Sequence, residues 1–270
     1  MDETNLSEWL NIAARWIHVF AGIMWVGQTY FFTWLDGRFT EMETQPSETK
    51  SDGHVWMVHS GGFYLVEKQK NPSLMSNTLH WFRWEALITW VSGITLLILV
   101  YYVGGLMADE GMSDTIPILV GIGAIVFSWP LYDFLWSSKL AQNEKVGVVI
   151  SYILLVGIIF GLTQIMGGRA AFIHVGAIFG TIMTANVWSR ILPAQRKMVA
   201  ALNEGKEPDL TLGNRAKMRS KHNTFLAVPV VFIMISNHYP VTTYGDSWNW
   251  VVLSLLVLIG WGAAKIIRKA

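Results

Sequence analysis

Cysteine is missing from all 270 residues. Its absence excludes disulfides, Cys-ligated zinc, Cys-ligated iron–sulfur clusters and haem attached through Cys-x-x-Cys-His. Any metal must therefore be held by histidine, carboxylate, methionine or a backbone group. Charge is scarce too: Asp, Glu, Lys and Arg make up 14% of the chain, against about a quarter in a soluble domain. The first residues, Met1-Asp2-Glu3-Thr4-Asn5, are acidic rather than basic, so a cleavable signal peptide is not expected. The sequence has no His-Glu-x-x-His and no Gly-x-Ser-x-Gly. It also lacks a Gly-x-Gly-x-x-Gly in a strand–helix setting, so nicotinamide or flavin held in that way is not expected.

What is present is apolar. Hydrophobic residues make up 52% of the chain and the mean hydropathy is +0.38. This composition predicts an all-α, polytopic transmembrane helix bundle, residues 1–270 forming one integral membrane domain. Apolar runs predict about seven spanning helices, near 9–35, 81–103, 115–137, 146–166, 169–192, 223–239 and 247–267, each close to the roughly 20 residues a bilayer requires. Pro229 predicts a kink in the sixth. Many of the 14 tryptophans stand near predicted helix ends, as interfacial anchors do.

The polar segments sort by charge. The N-terminus, 104–114 and 240–246 contain no Lys or Arg, and the turn near 167–169 has only Arg169. Lys and Arg collect in 36–80, 138–145, 190–221 and the C-terminal tail. The positive-inside rule then puts the N-terminus outside and the C-terminus in the cytoplasm, with 36–80 and 193–221 as cytoplasmic loops. The setting implied is a bacterial inner membrane, with the lipid bilayer as a partner and no nucleic acid. Within the first loop, Gly53 to Tyr64 is too apolar and aromatic for a free loop and is expected to pack on the bundle or lie in the interface. The basic 193–221 run reads as a solvated face near anionic lipid heads, with a short surface helix.

The histidines are the chemically loaded residues. His18 lies inside the first apolar run and shares a helical face with Gly22, Trp25 and Thr29. His174 opens another run, again followed by small residues. An ionisable group inside a span marks a functional site by default. Two such histidines on facing helices suit bis-imidazole ligation of a b-type haem, with His18 and His174 as one axial pair and His80 and His222 as the other. The plain alternative is that each ring hydrogen-bonds a neighbouring helix. At the entry to the second span, His80-Trp81-Phe82-Arg83-Trp84-Glu85 offers a mouth for a flat anion: arginine for charge, aromatics for stacking, histidine for proton transfer. Arg83 and Glu85 are equally readable as interfacial anchors. Asp133 sits near the end of the third span and wants a cation such as Arg83. The pattern of His18 and His80 against His174 and His222 suggests an internal repeat.

Arg15-Trp16-Ile17-His18 through Trp25-Val26-Gly27, the loop His59-Ser60-Gly61-Gly62-Phe63-Tyr64, the His80–Glu85 entry, and His222-Asn223-Thr224 through Asn237-His238-Tyr239-Pro240 together resemble the membrane-bound urate oxidase (urate hydroxylase) family over nearly the whole chain. The resemblance implies oxidation of urate, a flat purine anion, to 5-hydroxyisourate, with electrons passed through haem to a cytochrome c. It makes His59, His80, Arg83 and Glu85 the catalytic candidates and His54, Trp81, Arg83 and Trp84 the substrate-binding ones. Two departures stand out. The family's membrane domain is usually followed by a further helix and a cytochrome c domain, whereas this sequence stops at Ala270, so a separate cytochrome c or another electron acceptor is expected. The loop reads His-Ser-Gly-Gly where His-Gly-Gly-Gly is usual. Competing readings of the same architecture are a haem b electron-transfer subunit, a protoporphyrinogen-oxidase-like enzyme and a transporter.

Overall fold

The computed structural model describes residues 3–44, 53–69, 72 and 79–268. The architecture is an all-α helical bundle with one small hairpin. Helix α1 runs from Glu3 to Thr44, some 63 Å at the helical rise, well past the apolar run that marks it. It is followed by strands β1 (His54–His59) and β2 (Gly62–Glu67), paired antiparallel. Then come α2 (Trp84–Leu97), which closes in a π turn at Ile98–Tyr102, α3 (Thr115–Ser137) and α4 (Glu144–Ile165). Helix α5 (Gly168–Asn186) passes through a second π turn, Val187–Ile191, straight into α6 (Leu192–Asn203). Helices α7 (Leu210–Ser236) and α8 (Asn249–Ile267) complete the bundle.

Among the described residues, six helical stretches are long and apolar enough to cross a membrane: 6–44, 84–102, 115–137, 144–165, 168–203 and 249–267. The seventh expected span, 223–239, falls in α7, which is not one of them. Arg215, Lys217, Arg219 and Lys221 occupy the first half of α7, so its purely apolar part is too short. Pro229 lies inside α7 without ending it. Its ring is met by Gly260 of α8, where an added Cβ would stand 2.9 Å from the Pro229 ring. The glycine lets the two helices touch at the point where proline has removed a backbone donor.

Helix α5 is the axis of the bundle. Of its most apolar window, 78% is buried, against 6% for α1. Gly, Ala and Thr along α5 let α2, α3 and α7 approach closely; the Trp90 indole of α2 donates to Thr181 Oγ1 (2.9 Å) and Thr184 donates to the Ala86 carbonyl (3.3 Å). Outer helices instead turn large apolar side chains outward, with Trp16 78%, Phe134 76% and Phe127 70% exposed. That inside-out distribution is compatible with a multi-pass membrane protein.

The 53–64 segment does pack on the bundle, but as a hairpin. Val55 and Val58 with aromatic neighbours favour strand. Ser60 and Gly61, both at positive φ (51° and 75°), form the tight turn that matches strand twist. Val55 buries against Leu35 and Phe39 of α1, while Trp56 and Phe63 stay exposed on the opposite face. Residues 45–52 of the same loop lie outside the described residues.

Candidate functional site

Two polar constellations stand at the end of the bundle where α2 begins and α5 ends. The first is built on Arg83, which precedes α2. Its guanidinium lies 5.1 Å from the Trp84 ring and 5.9 Å from the Trp188 ring, and the two indoles meet edge to face at 5.8 Å. Trp188 is supplied by the π turn after α5. Such a turn inserts one residue and re-aims the side chains after it. Trp81 packs in the same cluster, with Ala86 and Leu192. Arg83 Nε and Trp188 Nε1 are both buried and without a hydrogen-bond partner. Two unsatisfied N–H donors in one aromatic cluster cost the fold free energy unless a ligand accepts from them. Glu85 is half-buried one helical step away, and no partner for its carboxylate occurs among the described residues.

The second constellation lies deeper. Asp133 of α3 accepts from Arg190 in a two-pronged pair, Nε to Oδ1 at 2.9 Å and Nη2 to Oδ2, and from Arg219 Nη2 at 2.8 Å. Arg219 is 4% exposed, its guanidinium lies 4.9 Å from the Tyr132 ring, and its Nη1 has no partner. Two guanidiniums on one carboxylate leave a net positive charge. The expected partner of Asp133, Arg83, is not used. Beside this cluster, Asn223 donates to the Met183 carbonyl (2.9 Å), Asn186 donates to Asn223 Oδ1 (3.0 Å) and to the Tyr132 hydroxyl (3.2 Å), and the Tyr132 hydroxyl is 2.6 Å from His222 Nδ1.

Sequence reasoning missed Arg190, Arg219, Asn186 and Trp188. The basic 193–221 run read as a solvated face, and the structure corrects that for Arg219, which is buried; Arg190, just before the run, is exposed but pairs with Asp133. A signal was present: Arg219, Asn223, Leu226 and Ile233 recur at helical spacing, and all four are buried. The arginine simply extends the core stripe of α7.

The histidines disperse. His18 Nδ1 donates to the Thr89 carbonyl of α2 (2.9 Å), and the ring is pressed on Gly93, where a Cβ would stand 2.8 Å from Cε1. His174 Nδ1 donates to the Ala170 carbonyl (2.8 Å), and its Nε2 is 3.1 Å from the Tyr102 hydroxyl. A Cβ on Gly121 would stand 2.5 Å from that Nε2. A carbonyl can only accept, so both rings carry the proton on Nδ1 and a lone pair on Nε2. Each is thus a fitting axial ligand by donor chemistry. As a pair they do not fit. Their partners on α2, Ser92 and Tyr102, are ten residues apart, roughly 15 Å of helix. His80 and His222 are not brought together either. His80 is exposed and stacks on Phe82 (4.5 Å), which meets Phe32 of α1, whereas His222 stacks on Trp136 at 4.1 Å. The plain reading, rings that tie one helix to the next, describes His18 and His174. Nor do His54 and His59 join Arg83. They sit at opposite ends of β1, His54 near Glu67 (3.8 Å) and His59 against Ser60 (2.7 Å). No group of three or more metal-ligating side chains occurs among the described residues.

A family model, "Urate oxidase N-terminal", matches residues 4–269. The chain belongs to the urate oxidase N-terminal family. No curated protein and no solved structure matches it. Within this family member, the bundle end that gathers Arg83, Trp84 and Trp188 supplies what a flat anion needs: a cation and two stacking faces.

Proposed function

We propose that this protein oxidises urate to 5-hydroxyisourate at the Arg83–Trp84–Trp188 mouth, on the cytoplasmic side of a bacterial inner membrane. The observation that carries the reading is the family match over 4–269. The mouth supports it with two buried, unpartnered N–H donors, Arg83 Nε and Trp188 Nε1. Urate is planar, anionic near neutral pH and rimmed with oxygen and nitrogen acceptors. It stacks on an indole face and takes charge-assisted hydrogen bonds from the guanidinium.

Two electrons leave the purine, the oxygen of one water adds at C5, and two protons are released, one from the purine and one from the water. In this reading Glu85, a carboxylate two residues after Arg83, takes a proton as the electrons depart. His80, exposed at the entry, passes protons to bulk water. The electrons leave to a carrier rather than to dioxygen, and the resemblance implies a cytochrome c. No step runs through haem, because neither histidine pair faces the same iron.

The test is anaerobic turnover by the purified protein with urate and an artificial electron acceptor. 5-Hydroxyisourate should form with wild type and far more slowly with Glu85→Gln. Failure to consume urate with any acceptor would overturn the reading.

A further inference from the structure

The proposed reaction leaves a large apolar pocket of the bundle unused. A cavity of about 370 Å³ lies between α3, α4, α5, α7 and α8. Its walls are apolar and aromatic, among them Trp136, Phe179, Phe225 and Trp261. Glu144, Lys221 and Lys265 stand at one end, where Lys221 pairs with Glu144. His222 lines it, and His222 Nε2 is buried with no hydrogen-bond partner.

The proton on that ring can be placed. The Met183 main-chain carbonyl accepts from Asn223 Nδ2, which turns Asn223 Oδ1 toward Asn186. Asn186 must then present Nδ2, and the same nitrogen donates to the Tyr132 oxygen. The Trp129 indole donates to Asn186 Oδ1 at 3.4 Å, which agrees with that orientation. The Tyr132 oxygen accepts from Asn186, its other side-chain neighbour Arg219 is also a donor, and among the described contacts only His222 Nδ1 can accept its hydrogen. His222 therefore carries its proton on Nε2. An N–H offers no lone pair to a metal, but it is a donor to an oxygen.

We infer that this cavity binds a lipid-soluble quinone, with His222 Nε2–H donating to a ring carbonyl. The argument rests on shape and polarity together: an aromatic-walled slot within the apolar spans, with two unsatisfied donors on its wall, His222 Nε2 and Trp261 Nε1, suits a flat ring with carbonyls and an apolar tail. Resting on the urate reading, the quinone is then the first electron acceptor, in place of a cytochrome c. Urate, water and quinone give 5-hydroxyisourate and quinol. A C–O bond forms at C5, water and urate lose the two protons, and both quinone carbonyls become hydroxyls. The two sites adjoin through α5: Trp188 stands in the mouth, and Asn186, two residues earlier, belongs to the network that orients His222.

The experiment uses the purified full chain in lipid nanodiscs. Decylubiquinone binding is read by quenching of tryptophan fluorescence, since Trp136 and Trp261 line the cavity. A ring with the same tail but no carbonyls should bind about five- to tenfold more weakly, as one lost hydrogen bond predicts. His222→Phe should weaken decylubiquinone by a similar factor. Leu155→Trp, which fills the slot, should abolish binding even if His222→Phe does not fold. Equal binding of the two probes, or undiminished binding by Leu155→Trp, overturns the inference. So does urate oxidation that proceeds with a phenazine acceptor and not with decylubiquinone. If quinone binds as expected while urate is consumed with no acceptor, the site stands and the urate reading falls.

Discussion

Arg219 and Asp133, 86 residues apart, meet at 2.8 Å inside the bundle, with the arginine 4% exposed. A charge that deep exists only because its counter-charge is fixed in place, and Arg190 binds the same carboxylate from the rim. The pair ties α3, α7 and the π turn after α5 into one unit. It thereby sets the height of Tyr132 and His222 beside it.

Removing the carboxylate should be severe. Asp133→Ala leaves Arg219 buried and uncompensated, and breaking such a pair costs about 3–5 kcal/mol. Replacing both partners, Asp133→Leu with Arg219→Met, should recover most of that loss, because the only charge left without its partner is Arg190, which is half-exposed at the rim. Thermal unfolding in detergent of the single and double variants checks this. A single variant as stable as wild type would show that the cluster is solvated.

Two glycines on α3, two residues apart, should behave oppositely. An added Cβ at Gly121 would stand 2.5 Å from His174 Nε2, whereas at Gly123 nothing lies within 4 Å. Gly121→Ala forces the buried ring aside and should cost about 1–3 kcal/mol. Gly123→Ala meets open space and should be neutral, or stabilise by up to about 1 kcal/mol through helix propensity. Unfolding midpoints of the two variants decide it, and equal midpoints would mean that α3 and α5 are not in close contact.

Much of this arrangement was legible in the sequence and some was not. Apolar runs of about 20 residues marked the helices, because their length answers to the thickness of a bilayer. The sixth run was the hardest to read, since α7 carries four basic residues in its first half and is held by packing and buried charge as well as by its apolar stretch. The hairpin was visible as an apolar loop, but its turn depends on Ser60 at positive φ, which serine adopts only sparsely. Arg83 with Trp81 and Trp84 was legible because the three are sequence neighbours. Trp188, Asn186 and Arg219 reach the site through tertiary packing and a π turn, neither of which a local pattern encodes. The pairing of histidines failed for the same reason: helical spacing says which face a ring is on, not which neighbouring helix meets that face, or at what height.

His18→Ala tests that last distinction. The ring ties α1 to α2 through the Thr89 carbonyl and fills the space over Gly93. Its loss should weaken the seating of α1 by about 1–3 kcal/mol, the cost of stranding a polar group and losing packing. Thermal unfolding should register this while the visible absorption spectrum stays as in wild type. A Soret band that vanishes with His18 would instead make the residue a haem ligand.

Arg83 separates substrate binding from folding. It stands at the entry to α2, half-buried, with its guanidinium over two indoles. Arg83→Gln removes the charge and the Nε donor together. A charge-assisted contact to a bound anion contributes about 1.5–3 kcal/mol. Its loss should raise the KM for urate roughly tenfold to a hundredfold with kcat little changed, if the contact is equal in ground and transition states. Arg83→Lys keeps the charge but has neither the planar fork nor an Nε, so it should recover only part of the loss. Trp188→Phe keeps a stacking face and removes Nε1, so it should raise KM by a smaller factor, near fivefold for one neutral hydrogen bond. Steady-state kinetics with an artificial acceptor measures all three. If the three match wild type, Arg83 and Trp188 are interfacial anchors, and urate must bind elsewhere, the Arg219 cluster being the next cation in line.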